Sequence, residues 1–154
     1  VSSVRVRHWF VLVTTSTVLF PASRVERRGV TQEGVTVTVV IDGATTARGQ
    51  LGVALFASDA GFPERTEQAT RRQLQPWRAP VDSVVFRDVP PGRYAVAVHH
   101  DVDADGTLKK SMIGVPQEPW GVSRDVRHRM RAPRFEEAVV DVRGDTRLAV
   151  RVAK

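Results

Sequence analysis

Cysteine does not occur in this 154-residue chain, which excludes disulfides, thiolate metal sites and a lipid anchored through a thiol. There is no stretch apolar and long enough to span a bilayer as a helix. The apolar run Trp9–Phe20 covers 12 residues, and a spanning helix takes about 20. Several catalytic signatures are missing too: no Gly-x-Ser-x-Gly element, no phosphate-binding glycine loop and no His-Glu-x-x-His helix. Histidine is scarce. Past residue 23 only His99, His100 and His128 occur, and no spaced set of them suits zinc.

Positive charge is in moderate excess, with 23 Lys and Arg against 17 Asp and Glu, a net of +6. Such a bias favours anionic partners without naming one. The opening "VSSVRVRHWFVLVTTSTVLFPAS", residues 1–23, has the order of an export signal: Arg5 and Arg7, the short apolar run, then Pro21, Ala22 and Ser23. It predicts a protein delivered to the periplasm or secreted, with no transmembrane span once the leader is removed. Residues 24–34, "RVERRGVTQEG", read as a flexible lead-in, and 35–154 as one folded domain.

From Val35 onward the pattern has period two. Val35, Val37, Val39 and Ile41 share one face of "VTVTVVI", and Leu148, Val150 and Val152 share one face near the end. "LGVALFA", "VDSVVFRDV" and "RYAVAVHHD" are further strands, and Pro76 places the weak strand "RRQLQPWRA" at a sheet edge. "EEAVVDV" and "RLAVRVA" flank "RGDT", a hairpin signal. About seven short strands, each with one apolar face and no strong helix among them, predict an all-β fold, an antiparallel β-sandwich. Tyr94 begins a strand after the turn "PPG" and shares its face with Val96, Val98 and His100, while His99 points the other way. The Tyr94 hydroxyl is expected to bond near that turn.

The exception is 101–134, 34 residues without a convincing strand. Loops of that length in compact domains are usually functional or mobile. It opens on "DVDADGTLKK", where Asp101, Asp103, Asp105 and the Thr107 carbonyl form a partial oxygen set for calcium. Glu118 is a candidate for the remote carboxylate. Met112 stands where an EF-hand places its bidentate glutamate, so any calcium binding is expected to be weak. The alternative is a turn whose aspartates accept backbone N–H groups around Gly106, with Lys109 and Lys110 as counter-charges. Further on, "RDVRHRMRAPR" offers Arg127 and Arg129 for a carboxylate or phosphate, or forms a solvated loop. It lacks the stacking aromatics of a nucleic-acid site, so nucleic acid is not an expected partner.

Three blocks in order, "GQLGVALFASDAGFPE", "VPPGRYAVAVHHDVDADGTL" and "IGVPQEPWGVS", resemble the bacterial family named domain of unknown function 2141. The resemblance covers roughly residues 35–152. It implies an exported sandwich of transthyretin or immunoglobulin type, with His100, Asp101, Asp103, Asp105 and Gly106 in one family element and Gly114, Pro116, Trp120 and Gly121 in another. The chain departs from the family pattern at Lys109, where another acid is common. The leading expectation is a cell-envelope binding or accessory module working through residues 99–134, with His100, Glu118, Trp120, Arg127 and Arg129 at an anionic ligand and calcium as the one candidate cofactor. The rivals are a metal-dependent hydrolase centred on His100, Asp101 and Asp105, and a purely structural domain.

Overall fold

Alternation of side chains along the strands decides the layers. The computed structural model describes residues 33–43, 46, 48–78, 80–106, 109–112 and 116–154, all within the compact unit Thr31–Lys154. The expected leader 1–23, most of the lead-in, Thr107 and Gly114 lie outside the described residues. Strand β1 (Val35–Asp42) is flanked by β4 (Asp82–Val89) and β8 (Thr146–Arg151) in one sheet of order β4-β1-β8. The second sheet runs β3 (Arg71–Pro76), β2 (Gln50–Phe56), β5 (Gly92–Asp101), β6 (Trp120–Val122), with β7 (Val140–Val142) also paired to β5. The core lies between them: Val37, Val39 and Ile41 meet Leu51, Val53 and Leu55, and Tyr94, Val96, Val98, Val150 and Val152 belong to the same cluster, as the alternation predicts. Burial of each such side chain contributes about 1.5–3 kcal/mol. The Tyr94 hydroxyl donates to the Pro90 carbonyl at 2.8 Å.

The sandwich differs from expectation in three places. First, β8 pairs with β1 in parallel, so one ladder of the otherwise antiparallel fold breaks the pattern. Second, "RGDT" does not close a hairpin. β7 pairs with β5 and β8 with β1, so the turn carries the chain from one sheet to the other, and the Thr36 N–H donates to Asp145 Oδ1 at 2.7 Å across it. In "EEAVVDV" only Val140–Val142 is strand; the preceding Phe135–Ala138 forms a single helical turn, α1. Third, the long 101–134 segment holds β6, which is too short for its alternation to be seen and takes its conformation from β5.

Both open margins of the sandwich are stitched by hydrogen bonds. Along β3, Gln73 and Gln75 donate to the carbonyls of Val85 and Ser83 on β4, at 2.8 and 3.4 Å. This meets hydrogen-bonding capacity that an edge strand would otherwise leave open. At the other margin, Trp120 exchanges backbone hydrogen bonds with Ala153 at 3.1 Å in both directions. β6 and β7 pair with successive stretches of β5, residues 97–99 and 92–94. Between them the Val96 N–H donates to Ser123 Oγ (2.9 Å), whose hydroxyl donates to the Ala138 carbonyl (2.6 Å). Ser123 is 0% exposed and splices the two short strands.

The outer face of the five-stranded sheet is only half covered. Ala54, Phe56, Ala95, Ala97 and Val122 lie beneath Phe62, Val126, Phe135 and Ala138, with edge-to-face ring pairs Phe56–Phe62 and Phe62–Phe135 at 5.3 and 6.0 Å. The other half opens outward. Among the described residues no helix is long and apolar enough to cross a membrane.

Candidate functional site

On that open half, Gly52, His99 and Trp120 form one cross-strand row. Gly52 carries no Cβ, and one added there would fall on the His99 imidazole; glycine leaves the room that the ring occupies beside β2. His99 and Trp120 are half-buried. They lie on the floor of a cleft of about 1140 Å³, walled by residues 63–67 on one side and 127–133 on the other. Six Lys and Arg line it against two Glu. Its size is ample for a small-molecule ligand.

The basic residues divide by what they already hold. Arg127 donates to the carbonyls of Trp120 (2.5 Å), Arg151 (2.9 Å) and Ala153 (3.1 Å), and its guanidinium carbon stands 5.0 Å from the Trp120 ring centroid. Burial lowers its pKa, with Asp125 acting in the opposite direction. Its first task is to clamp the β6–β8 margin. Arg131 is paired with Glu137 at 2.6 Å, and with the Arg134 N–H and His128 it holds that carboxyl well below the usual carboxylate range. Lys110 pairs with Glu64 at 2.5 Å. Arg129 is exposed on the cleft wall and has no ion pair or hydrogen bond among the described residues. On the floor, burial pushes the His99 pKa down; Asp101 and Glu118 pull it upward and His100 adds to the lowering. The His99 Nε2 is buried and has no hydrogen-bond partner among the described residues.

The acidic turn closes the same face at the end of β5. Asp101 is 0% exposed and accepts from Gln50 Nε2 (2.8 Å), the Gly106 N–H (2.7 Å) and the Asp105 N–H (3.2 Å). Burial acts to raise its pKa, but Gln50 and the turn N–H groups together bring it below the ordinary value. Gly106 takes φ 81° and Ala104 φ 58°, the left-handed geometry such a turn demands. Glu118 accepts from the Val102 N–H (2.9 Å) and the Lys109 N–H (3.2 Å), tying the loop at its base. The Lys109 ammonium pairs with Asp103 and lies 3.5 Å from Asp105. Oxygens of Asp101, Asp103 and Asp105 come within 4.8 Å of one another, a set suited to a hard cation. Asp101 is already committed to three N–H donors, however, and the Lys109 ammonium supplies a cation's charge at the other two. Glu118 serves the backbone of the loop.

His100 is elsewhere. Period two turns it into the core, 0% exposed, where its Nε2 meets the Arg48 carbonyl at 2.6 Å and its ring lies 5.5 Å from that of Trp77. The expected grouping of His100 with Asp101 and Asp105 is therefore divided by the sheet itself. The residue that shares a face with Asp101 is His99. Its signal in the sequence is the parity of positions 99 and 101, together with the glycine at 52. Ser123 carried no such signal, because its role depends on where two short strands end.

The chain is thus a two-sheet β-sandwich that carries an acidic turn at one end of a central strand and a basic, aromatic-floored cleft beside it. The chain belongs to the DUF2141 family, described as an uncharacterized protein conserved in bacteria, whose family model matches residues 39–149. No curated protein and no solved structure matches it.

Proposed function

We propose that the protein is an exported cell-envelope binding module, taking a small anionic ligand with carboxylate or phosphate groups into the cleft above His99. The observation that carries this reading is the lining, six basic side chains against two acidic, with Arg129 unpaired among the described residues and Trp120 on the floor. Arginine's planar fork suits carboxylate and phosphate, and charge of one sign in a concave site concentrates anions there. Export is supported by the order of charge, apolar run and small residues in 1–23. Calorimetric titration with citrate and with inorganic phosphate at low salt tests the binding. Saturable heat that Arg129→Glu abolishes is expected. No heat with either anion favours the purely structural domain.

A second, weaker activity is supported by the three carboxylates within 4.8 Å: the acidic turn takes calcium in competition with Lys109. Asp101, Asp103 and Asp105 would supply its oxygens.

A further inference from the structure

Among the described residues, three buried polar atoms at one end of the sandwich interior have no hydrogen-bond partner: Trp77 Nε1, Asp82 Oδ2 and His100 Nδ1. Buried groups in this state are costly, and nearly all of those in folded proteins find a protein or water partner. Their chemistry can be assigned. His100 Nε2 lies 2.6 Å from the Arg48 carbonyl, which can only accept, so Nε2 carries a proton and, in the neutral ring, Nδ1 is an acceptor. Trp77 Nε1–H can only donate. Asp82 Oδ1 accepts from the Ser83 N–H at 2.8 Å, and Oδ2 is a further acceptor.

The three belong to one region. Trp77 and His100 have ring centroids 5.5 Å apart with a tilt of 41°. Asp82 stands opposite Ile41 at the start of β4, and Ile41 and Trp77 share the core cluster. Gln75, two residues before Trp77, reaches across to the carbonyl of Ser83, next to Asp82, at 3.4 Å. The segment from Trp77 to Asp82 is the crossover between the sheets, so it brings two of the orphans to the end of the core where His100 supplies the third.

One donor and two acceptors match the valence of a single water, which accepts once and donates twice. We infer that this end of the sandwich is a binding site for one structural water, accepting from Trp77 Nε1–H and donating to Asp82 Oδ2 and His100 Nδ1. About three hydrogen bonds is the usual complement of a buried water. No ordinary cation satisfies the set, because the indole N–H must face an acceptor. The water ties the β3–β4 crossover to the residue that precedes the acidic turn, and so helps to fix the base of that turn.

A high-resolution crystal structure of the full chain tests this. The expected result is an ordered water within about 2.7–3.2 Å of Trp77 Nε1 and of at least one of the other two atoms. A direct Trp77 Nε1–H to Asp82 Oδ2 bond, or no water at Trp77 Nε1, overturns the inference. In solution, isotope-labelled protein should show a cross-peak between the Trp77 indole N–H and a long-lived water, absent in Trp77→Phe. An indole N–H with no such cross-peak in the folded parent overturns it equally.

Discussion

Replacing Ser123 by alanine removes one buried oxygen from the junction between β6 and β7. The hydroxyl serves two masters: it accepts from the Val96 N–H at 2.9 Å and donates to the Ala138 carbonyl at 2.6 Å. Alanine can do neither, and at 0% exposure solvent does not reach the site in the native state. Each orphaned group costs about 1–3 kcal/mol. The carbonyl tolerates the loss better than the N–H does, so roughly 2–4 kcal/mol is the expected total. In a domain of this size 1 kcal/mol shifts Tm by roughly 3–5 °C, and the variant should melt on the order of 10 °C lower. Thermal denaturation followed by circular dichroism measures the drop, and urea denaturation with an unchanged m-value would show that the two states compared are the same. Exposed Ser58→Ala is the control and should melt with the parent. A Ser123→Ala protein that also melts with the parent refutes the splice, since another group must then satisfy the Val96 N–H.

Val98 is 2% exposed in the core, so Val98→Asp buries an unpaired charge and should leave little folded protein; normal urea denaturation would show that the face is misassigned. The His99 pKa is lowered from 6.5, so below that pH the unfolded chain binds a proton that the fold resists. Stability should therefore fall as pH drops from 6.5, and His99→Gln should flatten this part of the curve; identical curves for the two proteins would contradict the burial argument. With the Lys109 ammonium at Asp103 and Asp105, calcium should raise Tm slightly in the parent and more in Lys109→Ala, and Asp105→Asn should remove the increment; no shift in any of the three retires the metal. Intact mass of protein recovered from the envelope fraction should lack residues up to about Ala22 or Ser23; a full-length mass there counts against cleavage.

Much of the fold was legible because burial on one face writes period two into the sequence. Val37, Val39 and Ile41 announce β1, and Tyr94, Val96 and Val98 announce β5. What escaped was set by contacts distant in sequence. "WGV" is too short to show alternation, and it is a strand only because residues 97–99 pair with it. "RGDT" has hairpin composition, yet the partners of its flanking strands are β5 and β1, and no turn residue encodes that choice. At the site, the aspartates and Gly106 were visible as a turn, and so was Lys109 as a counter-charge. His100 drew attention by standing next to Asp101, but adjacent residues on a strand face opposite ways. The arginine run gave no hint that Arg127 clamps three carbonyls while Arg129 stays on the cleft wall.

Chemical-shift mapping of citrate onto isotope-labelled protein addresses the cleft most directly. Saturable shifts concentrated on His99, the Trp120 indole and Arg129 are expected, with Arg129→Glu abolishing them and the outward-facing residues of β1 and β4 unmoved. Shifts scattered over basic side chains across the surface, or centred on the acidic turn with the cleft silent, would contradict it.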